Sequence, residues 1–163
     1  MHWLNEFCTW LDATSLSQAI QTAAWVTPTV QTIHILAVAV VVVSALMIDL
    51  RLVGVFAANQ PLKRVSARFL PLVWWPMLVL LATGAIMIIG EPARALKSPI
   101  FQLKMALLVG AIAITGIQQW LIRRDMSWGD LASGSRRVAS LVAIPSIALW
   151  TGIIFAGRWI AYW

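Results

Sequence analysis

His34 and Lys104 are ionisable residues at the start of two long apolar runs in this sequence. His34 follows Pro28 by six residues and Lys104 follows Pro99 by five, so at a rise of about 1.5 Å per residue both lie roughly 8–9 Å below the start of their helices. An ionisable side chain inside a membrane is costly without a partner and therefore marks a functional site by default. The shared depth predicts that the two residues form one site.

Haem binding is the chemistry that such a pair suggests. A neutral imidazole is a common haem ligand, and four-helix bundles hold porphyrins between facing helices. The chain has two histidines, His2 near its start and His34, and it lacks a CxxCH motif. It can therefore ligate one haem b through His34 but can form neither a bis-histidine site nor a covalent c-type attachment.

Lys104 and Arg158 are the other residues predicted to belong to this site. The second face of the haem is bound by Lys104, by a Met or by no residue. If Lys104 is not a ligand, it is a catalytic group that pairs with a carboxylate of the cofactor or substrate. Arg158, near the end of the fourth apolar run, is predicted to bind the cofactor by pairing with a haem propionate. The alternative is a structurally satisfied histidine beside a lysine that snorkels to the membrane surface.

Composition places these residues in an integral membrane protein. The 163 residues are 61% hydrophobic and 11% charged, against about 25% charged residues in soluble domains. Four apolar runs, at about 30–48, 70–90, 100–121 and 138–157, are each long enough to cross a hydrocarbon core about 30 Å thick. The predicted fold is an all-α membrane protein, with residues 28–163 forming a four-transmembrane-helix antiparallel bundle.

Residues 1–27 are predicted to form an amphipathic segment that lies in the membrane interface. Their apolar side chains recur at helical spacing, at Trp3, Leu4, Phe7, Trp10 and Leu11. The segment contains no Lys or Arg, so it lacks the charged start of a signal peptide and is expected to be retained. On the third run, positions 104, 108, 111, 115 and 118 share one helix face, which is expected to point into the bundle.

Basic residues set the predicted orientation. Eight lie in or beside the connections between the first and second and between the third and fourth runs, namely Arg51, Lys63, Arg64, Arg68, Arg123, Arg124, Arg136 and Arg137. The opposite side has four, Arg94, Lys97, Lys104 and Arg158. The positive-inside rule then predicts that both termini face outward, into the periplasm of a bacterial inner membrane.

The same positions explain the formal net charge of +6. Basic residues at helix ends contact anionic lipid headgroups, so membrane lipid and not nucleic acid is the predicted partner. Asp49 and Arg51 are interpreted as an interfacial charge pair, or as partners of Arg64 or Arg68, since charges at helix ends cost less than charges at the midplane.

The run IHILAVAVVVVSALMIDLRLVG, with PTVQ before it, resembles the first-helix pattern of a family of small bacterial four-helix membrane proteins of unknown function. More distantly, the histidine of this run and the segment FQLKMALLV resemble HemJ-type protoporphyrinogen oxidases and CopD-like membrane proteins. The HemJ resemblance implies haem b, with His34 as ligand and Lys104 as a functionally important residue. Gln31 stands where the closer family leads one to expect an acidic residue, and a second buried histidine is missing, so porphyrinogen oxidation is not carried over.

Two functional hypotheses follow. The first is an inner-membrane haem b redox protein that passes electrons between a quinone or small substrate and a partner. The alternative is a non-enzymatic membrane anchor or assembly subunit, bound to another membrane protein or to a second copy of itself. Copper transport ranks third because the six Met and two His residues form no cluster of soft ligands in the sequence.

Overall fold

The computed structural model describes residues 2–124 and 133–159, without the side chains of residues 133–138. Over this part of the chain every regular element is a helix. In chain order these are α1 His2–Asp12, α2 Ser15–Thr22, α3 Val26–Val53, α4 Leu62–Gly90, α5 Pro92–Leu96, α6 Pro99–Arg124 and α7 Ser133–Trp159.

Four of these helices are long and apolar enough to cross a membrane: α3, α4, α6 and the Ala139–Trp159 part of α7. This confirms the predicted all-α fold with four spans. Each predicted run lies inside an observed helix, but α3 and α4 both begin earlier than expected. Pro28 lies in the first turn of α3, where the missing N–H has no partner within the helix. The first turn of α4 buries Leu62 and Val65, although the charged residues Lys63 and Arg64 lie between them.

The core lies between α3 and the helices beside it. α3 packs along α4 and against α7, α6 packs along α7, and α4 makes a smaller contact with α6. α3 and α6 have the least contact of the four long helices, so they lie diagonally across the bundle. The buried contacts include Val41 and Ile48 of α3, Met77 of α4 and Trp150 of α7. Large apolar side chains also cover the outside, as expected where the surrounding lipid is as apolar as leucine.

The N-terminal helices are attached to the end of α4 by polar side chains. Ser17 of α2 is fully buried and its hydroxyl donates to the carbonyl oxygen of Ile89 at 2.7 Å. The amide nitrogen of Gln21 donates to the carbonyl oxygen of Gly90 at 3.0 Å. The last carbonyls of a helix have no partner within it, so α2 satisfies two groups that α4 leaves open.

Close approach of α2 depends on Gly90. A Cβ atom at this position would lie 3.0 Å from Cγ2 of Ile20, tighter than ordinary van der Waals contact. Cys8 of α1 is buried beside the same end, with its sulfur 3.8 Å from the carbonyl oxygen of Pro92 in α5. The first two helices therefore pack on this end of the bundle; their location in the membrane interface, and the domain boundary at residue 27, stay predictions.

Candidate functional site

α3 holds the His34 imidazole against α4. Its Nδ1 lies 2.8 Å from the Oγ1 atom of Thr83. The Thr83 hydroxyl has one hydrogen, and it donates this hydrogen to the carbonyl oxygen of Val79 at 2.6 Å. In this arrangement Thr83 accepts from His34, and the tautomer that fits it has the ring hydrogen of the neutral imidazole on Nδ1. The other nitrogen, Nε2, keeps its lone pair for a metal ion or a proton.

Gly84, the next residue of α4, lies beside the imidazole. A Cβ atom at this position would lie 3.7 Å from Cε1 of His34. The ring is half-buried and rests beside a part of α4 that has no side chain. Thr83 was not predicted from the sequence as the partner of His34.

Lys104 lies on α6 with its side chain half-buried against α7. A Cβ atom at Gly157 would lie 3.8 Å from the Lys104 Nζ, so the amine rests on the α7 backbone. Its ammonium is also close enough to His34 for the charge to act on the imidazole. Gly157 is two residues from the end of α7, so the amine reaches toward the end of the bundle, as a snorkelling lysine also does.

Arg158 follows Gly157 directly and is exposed on the last turn of α7. It adds a second cation to the end of the bundle where Lys104 lies. Its predicted contact with a haem propionate stays a prediction. In the described part of the chain, no three His, Cys, Asp or Glu residues come together to hold a metal ion. The predicted metal chemistry therefore depends on His34 as a single ligand.

Asp49 corrects the sequence prediction. It is 0% exposed, and its Oδ1 accepts a hydrogen bond from Nε2 of Gln118 on α6 at 2.7 Å. Ser146 of α7 lies beside the same carboxyl group. Asp49 is thus a buried polar residue shared by three helices, and the interpretation of an interfacial charge pair was wrong.

Arg51 has a different partner. Its Nε and Nη2 atoms both donate to the carbonyl oxygen of Gln60, at 2.9 and 2.6 Å. Residues two positions apart do not face each other on a helix, so α3 directs Asp49 and Arg51 to different sides. No ion pair of Asp49 occurs among the described residues, Arg64 and Arg68 included.

The inward face predicted for α6 is confirmed. Ala111, Thr115 and Gln118 are all buried, and Lys104 and Leu108 at the same spacing are half-buried. This face leads from the Lys104 end of the bundle to the Asp49 end. Polar groups therefore lie inside the bundle at both of its ends.

Four long apolar helices that enclose polar and ionisable side chains define a small multi-pass α-helical membrane protein. The chain belongs to DUF6644, a family of unknown function whose sequence model matches residues 7–163. This agrees with the nearer of the two resemblances. No curated protein and no solved structure matches the chain, so its likeness to HemJ-type and CopD-like proteins stays a resemblance.

Proposed function

We propose that this protein is a membrane redox protein that binds one haem b through His34. The observation that carries this proposal is the 2.8 Å hydrogen bond between His34 Nδ1 and Thr83 Oγ1. With the Thr83 hydroxyl donating to Val79, His34 donates through Nδ1, and Nε2 keeps its lone pair. Metal-ligating histidines almost always donate their other ring N–H to a neighbouring acceptor, which fixes both tautomer and ring orientation. Thr83 is such an acceptor.

The residues near His34 support a flat cofactor that carries negative charge. Gly84 leaves the α4 surface beside the imidazole without a side chain, which suits the approach of a flat ligand. Lys104 and Arg158 supply positive charge for the two propionates, and Lys104 is also the group that would pair with a substrate carboxylate. Bound haem supplies one-electron transfer at its iron; the chain holds the ring, orients the imidazole and neutralises the carboxylates.

The proposed setting is the bacterial inner membrane, with both termini in the periplasm. The eight basic residues on the connection side, against four on the other, support this orientation. The His34 end then faces the periplasm, where a quinone or small substrate would deliver electrons. A partner subunit or a second copy of the chain would receive them.

Visible spectroscopy of the detergent-solubilised protein tests the proposal. The oxidised and dithionite-reduced protein should show a Soret band and reduced haem b bands, and His34→Ala should abolish or greatly reduce them. His2→Ala is the matched control. His2 is exposed on α1, 3.0 Å from Glu6, so its loss should leave the spectrum unchanged.

Two results would overturn the haem proposal. One is a colourless wild-type protein after expression with ample haem. The other is a wild-type spectrum in folded His34→Ala protein. If the colourless protein copurifies in fixed ratio with another membrane subunit, the alternative of a non-enzymatic anchor or assembly subunit takes its place.

A further inference from the structure

Buried polar side chains from three helices meet at the end of the bundle opposite His34. Asp49 of α3 and Ser146 of α7 are 0% exposed, and Gln118 of α6 is 3% exposed. Asp49 follows His34 by fifteen residues on one helix, which separates them by about 22 Å along its axis. The cluster is thus separate from the proposed haem site.

Two buried oxygen atoms of this cluster have no hydrogen-bond partner. Oδ1 of Asp49 accepts from Gln118 at 2.7 Å, whereas Oδ2 of Asp49 and Oγ of Ser146 make no hydrogen bond although they are fully enclosed. Ser146 nevertheless lies beside the carboxyl group. Buried polar atoms are almost always paired, so these two enclosed oxygens are expected to share a hydrogen bond with each other.

Described cations do not neutralise Asp49. Arg51, on the same helix, donates to the carbonyl oxygen of Gln60. The basic residues on the facing ends of α4 and α6 are exposed: Lys63, Arg64, Arg68, Arg123 and Arg124. On α7, Arg136 and Arg137 lie in the range whose side chains are not described. Within the described side chains, the carboxyl group therefore has only neutral neighbours.

We propose that Asp49, Gln118 and Ser146 form a proton-binding site, in which the proton sits on Oδ2 of Asp49 and is shared with Oγ of Ser146. An ionised carboxylate only accepts hydrogen bonds, whereas the acid has one O–H to donate, and Ser146 provides the acceptor. The proton removes a buried charge that two neutral side chains, Gln118 and Ser146, offset only in part, because the carboxyl group is fully enclosed. A metal ion is disfavoured because no three His, Cys, Asp or Glu residues come together around it in the described part of the chain.

The site would take up and release a proton at the end of the bundle opposite His34. This inference does not require haem: it rests on the burial and bonding of Asp49 alone. It gives the chain a second ionisable group inside the membrane, held by neutral hydrogen-bonding neighbours as in proton-carrying membrane proteins.

Labelling with dicyclohexylcarbodiimide tests the inference on the full-length protein in detergent or lipid. This apolar reagent adds covalently to protonated carboxyl groups, and the adduct can be located by mass spectrometry. We expect an adduct on Asp49 that decreases as the pH is raised, under conditions where exposed Asp12 stays unlabelled. Infrared spectra should show a carboxylic acid C=O band that is missing in Asp49→Asn.

Gln118→Leu provides a directional test with a matched control. The Gln118 amide donates to Oδ1 and favours the ionised form, so its removal should let labelling of Asp49 persist to higher pH. Gln119→Leu should leave the labelling profile unchanged, because Gln119 accepts instead from Nε1 of Trp74 at 3.2 Å.

Three outcomes would overturn the proposal. The first is the absence of both the adduct and the infrared band in folded protein at low pH. The second is loss of labelling on addition of Na⁺ or K⁺ at constant pH, which would assign the site to a metal cation. The third is labelling that appears only in Arg136→Gln or Arg137→Gln, which would mean that an arginine already pairs with an ionised Asp49.

Discussion

His34 on α3 and Thr83 on α4 share a hydrogen bond of 2.8 Å, and its direction decides which imidazole nitrogen remains available. When the Thr83 hydroxyl donates its only hydrogen to the carbonyl oxygen of Val79, at 2.6 Å, His34 donates through Nδ1. The same bond joins two membrane helices. It therefore contributes to stability independently of any ligand, and the two roles can be measured separately.

Thr83→Val removes the acceptor for His34 while keeping the shape of the side chain. Hydrogen bonds between membrane helices are worth about 0.6 kcal/mol on average and at most about 1.7 kcal/mol, so we expect a loss of about 1 kcal/mol in the free energy of unfolding. Denaturation by sodium dodecyl sulfate, followed by circular dichroism, measures it. If haem is bound, its spectrum should also shift, because the imidazole loses its fixed orientation.

Thr115→Val is the matched control for this change. Thr115 is equally enclosed, at 2% exposed, but its hydroxyl donates to the carbonyl oxygen of Ala111 in its own helix. Thr115→Val should lower the free energy of unfolding by less than Thr83→Val does. It should leave the haem spectrum, if haem is bound, unchanged. Equal losses in the two variants would show that the His34 bond contributes nothing specific.

The length of α3 explains why Asp49 was not found from the sequence. Hydropathy favours ending a membrane helix at its first charged residue, which placed Asp49 outside the span at 30–48. In the structure α3 continues to Val53, so Asp49 lies one turn inside the helix and meets Gln118. The free-energy cost of burying Asp49 is lowered by its hydrogen-bond partner on α6. The hydropathy of α3 contains no information about that partner.

The four spans were predictable because each depends on a run of apolar residues within a single helix. The inward face of α6 was predictable for the same reason, since its spacing is local. The hydrogen bond to His34 was not, because Thr83 is one of several polar residues in the apolar runs and only the packing of α3 on α4 selects it. The position of His34 inside an apolar run identified one of the two residues in this hydrogen bond.

Gly90→Ala should loosen the N-terminal helices from the end of α4. The added Cβ would lie 3.0 Å from Cγ2 of Ile20, so the Ile20 side chain, or α2 with it, must move by a few tenths of an ångström. Cys8, the single cysteine, is 2% exposed in the docked arrangement and reports on this movement. We expect its reaction with a maleimide reagent to be several-fold faster than in the wild type.

Gly116→Ala provides the comparison, because a Cβ atom there has nothing within 4 Å. This variant should leave the reaction of Cys8 unchanged and gain about 0.5–1 kcal/mol from replacing glycine inside a helix. The double variant of Gly90→Ala and Ile20→Ala should restore slow labelling, since it removes the crowded methyl group. Fast labelling in the double variant would mean that crowding by Ile20 is not the cause.

Orientation can be tested by neutralising basic residues on one side at a time. Replacing Lys63, Arg64 and Arg68 with Gln should scramble insertion, because the positive-inside rule assigns them to the cytoplasmic side. The structure places all three, exposed, in the first two turns of α4. A C-terminal alkaline phosphatase fusion, active only in the periplasm, should be active in the wild type and lose activity in the triple variant.

The corresponding control neutralises Arg94 and Lys97, which lie at the other end of the bundle beside α5. Their replacement should leave the fusion active, since it increases the charge difference that directs insertion. An inactive wild-type fusion would reverse the proposed orientation and place the His34 end in the cytoplasm.

Lys104→Met separates the two roles proposed for this lysine. The amine lies against Gly157 near the end of α7, beside exposed Arg158, an arrangement that suits pairing with a carboxylate. We therefore expect the variant to keep the wild-type band positions but to lose haem faster during gel filtration, and Lys104→Arg to restore retention. Lys97→Met, at an exposed lysine, should behave as the wild type.

The position of the Soret band then decides the role of Lys104. A shifted band in Lys104→Met would mean that the amine ligates the iron, because losing an axial ligand changes the spectrum directly, whereas losing a propionate partner does not. If the variant has normal band positions and normal haem retention, Lys104 binds neither iron nor propionate. Its charge near His34 would then reflect a side chain that snorkels to the end of the bundle, and the haem site would rest on His34 and Thr83.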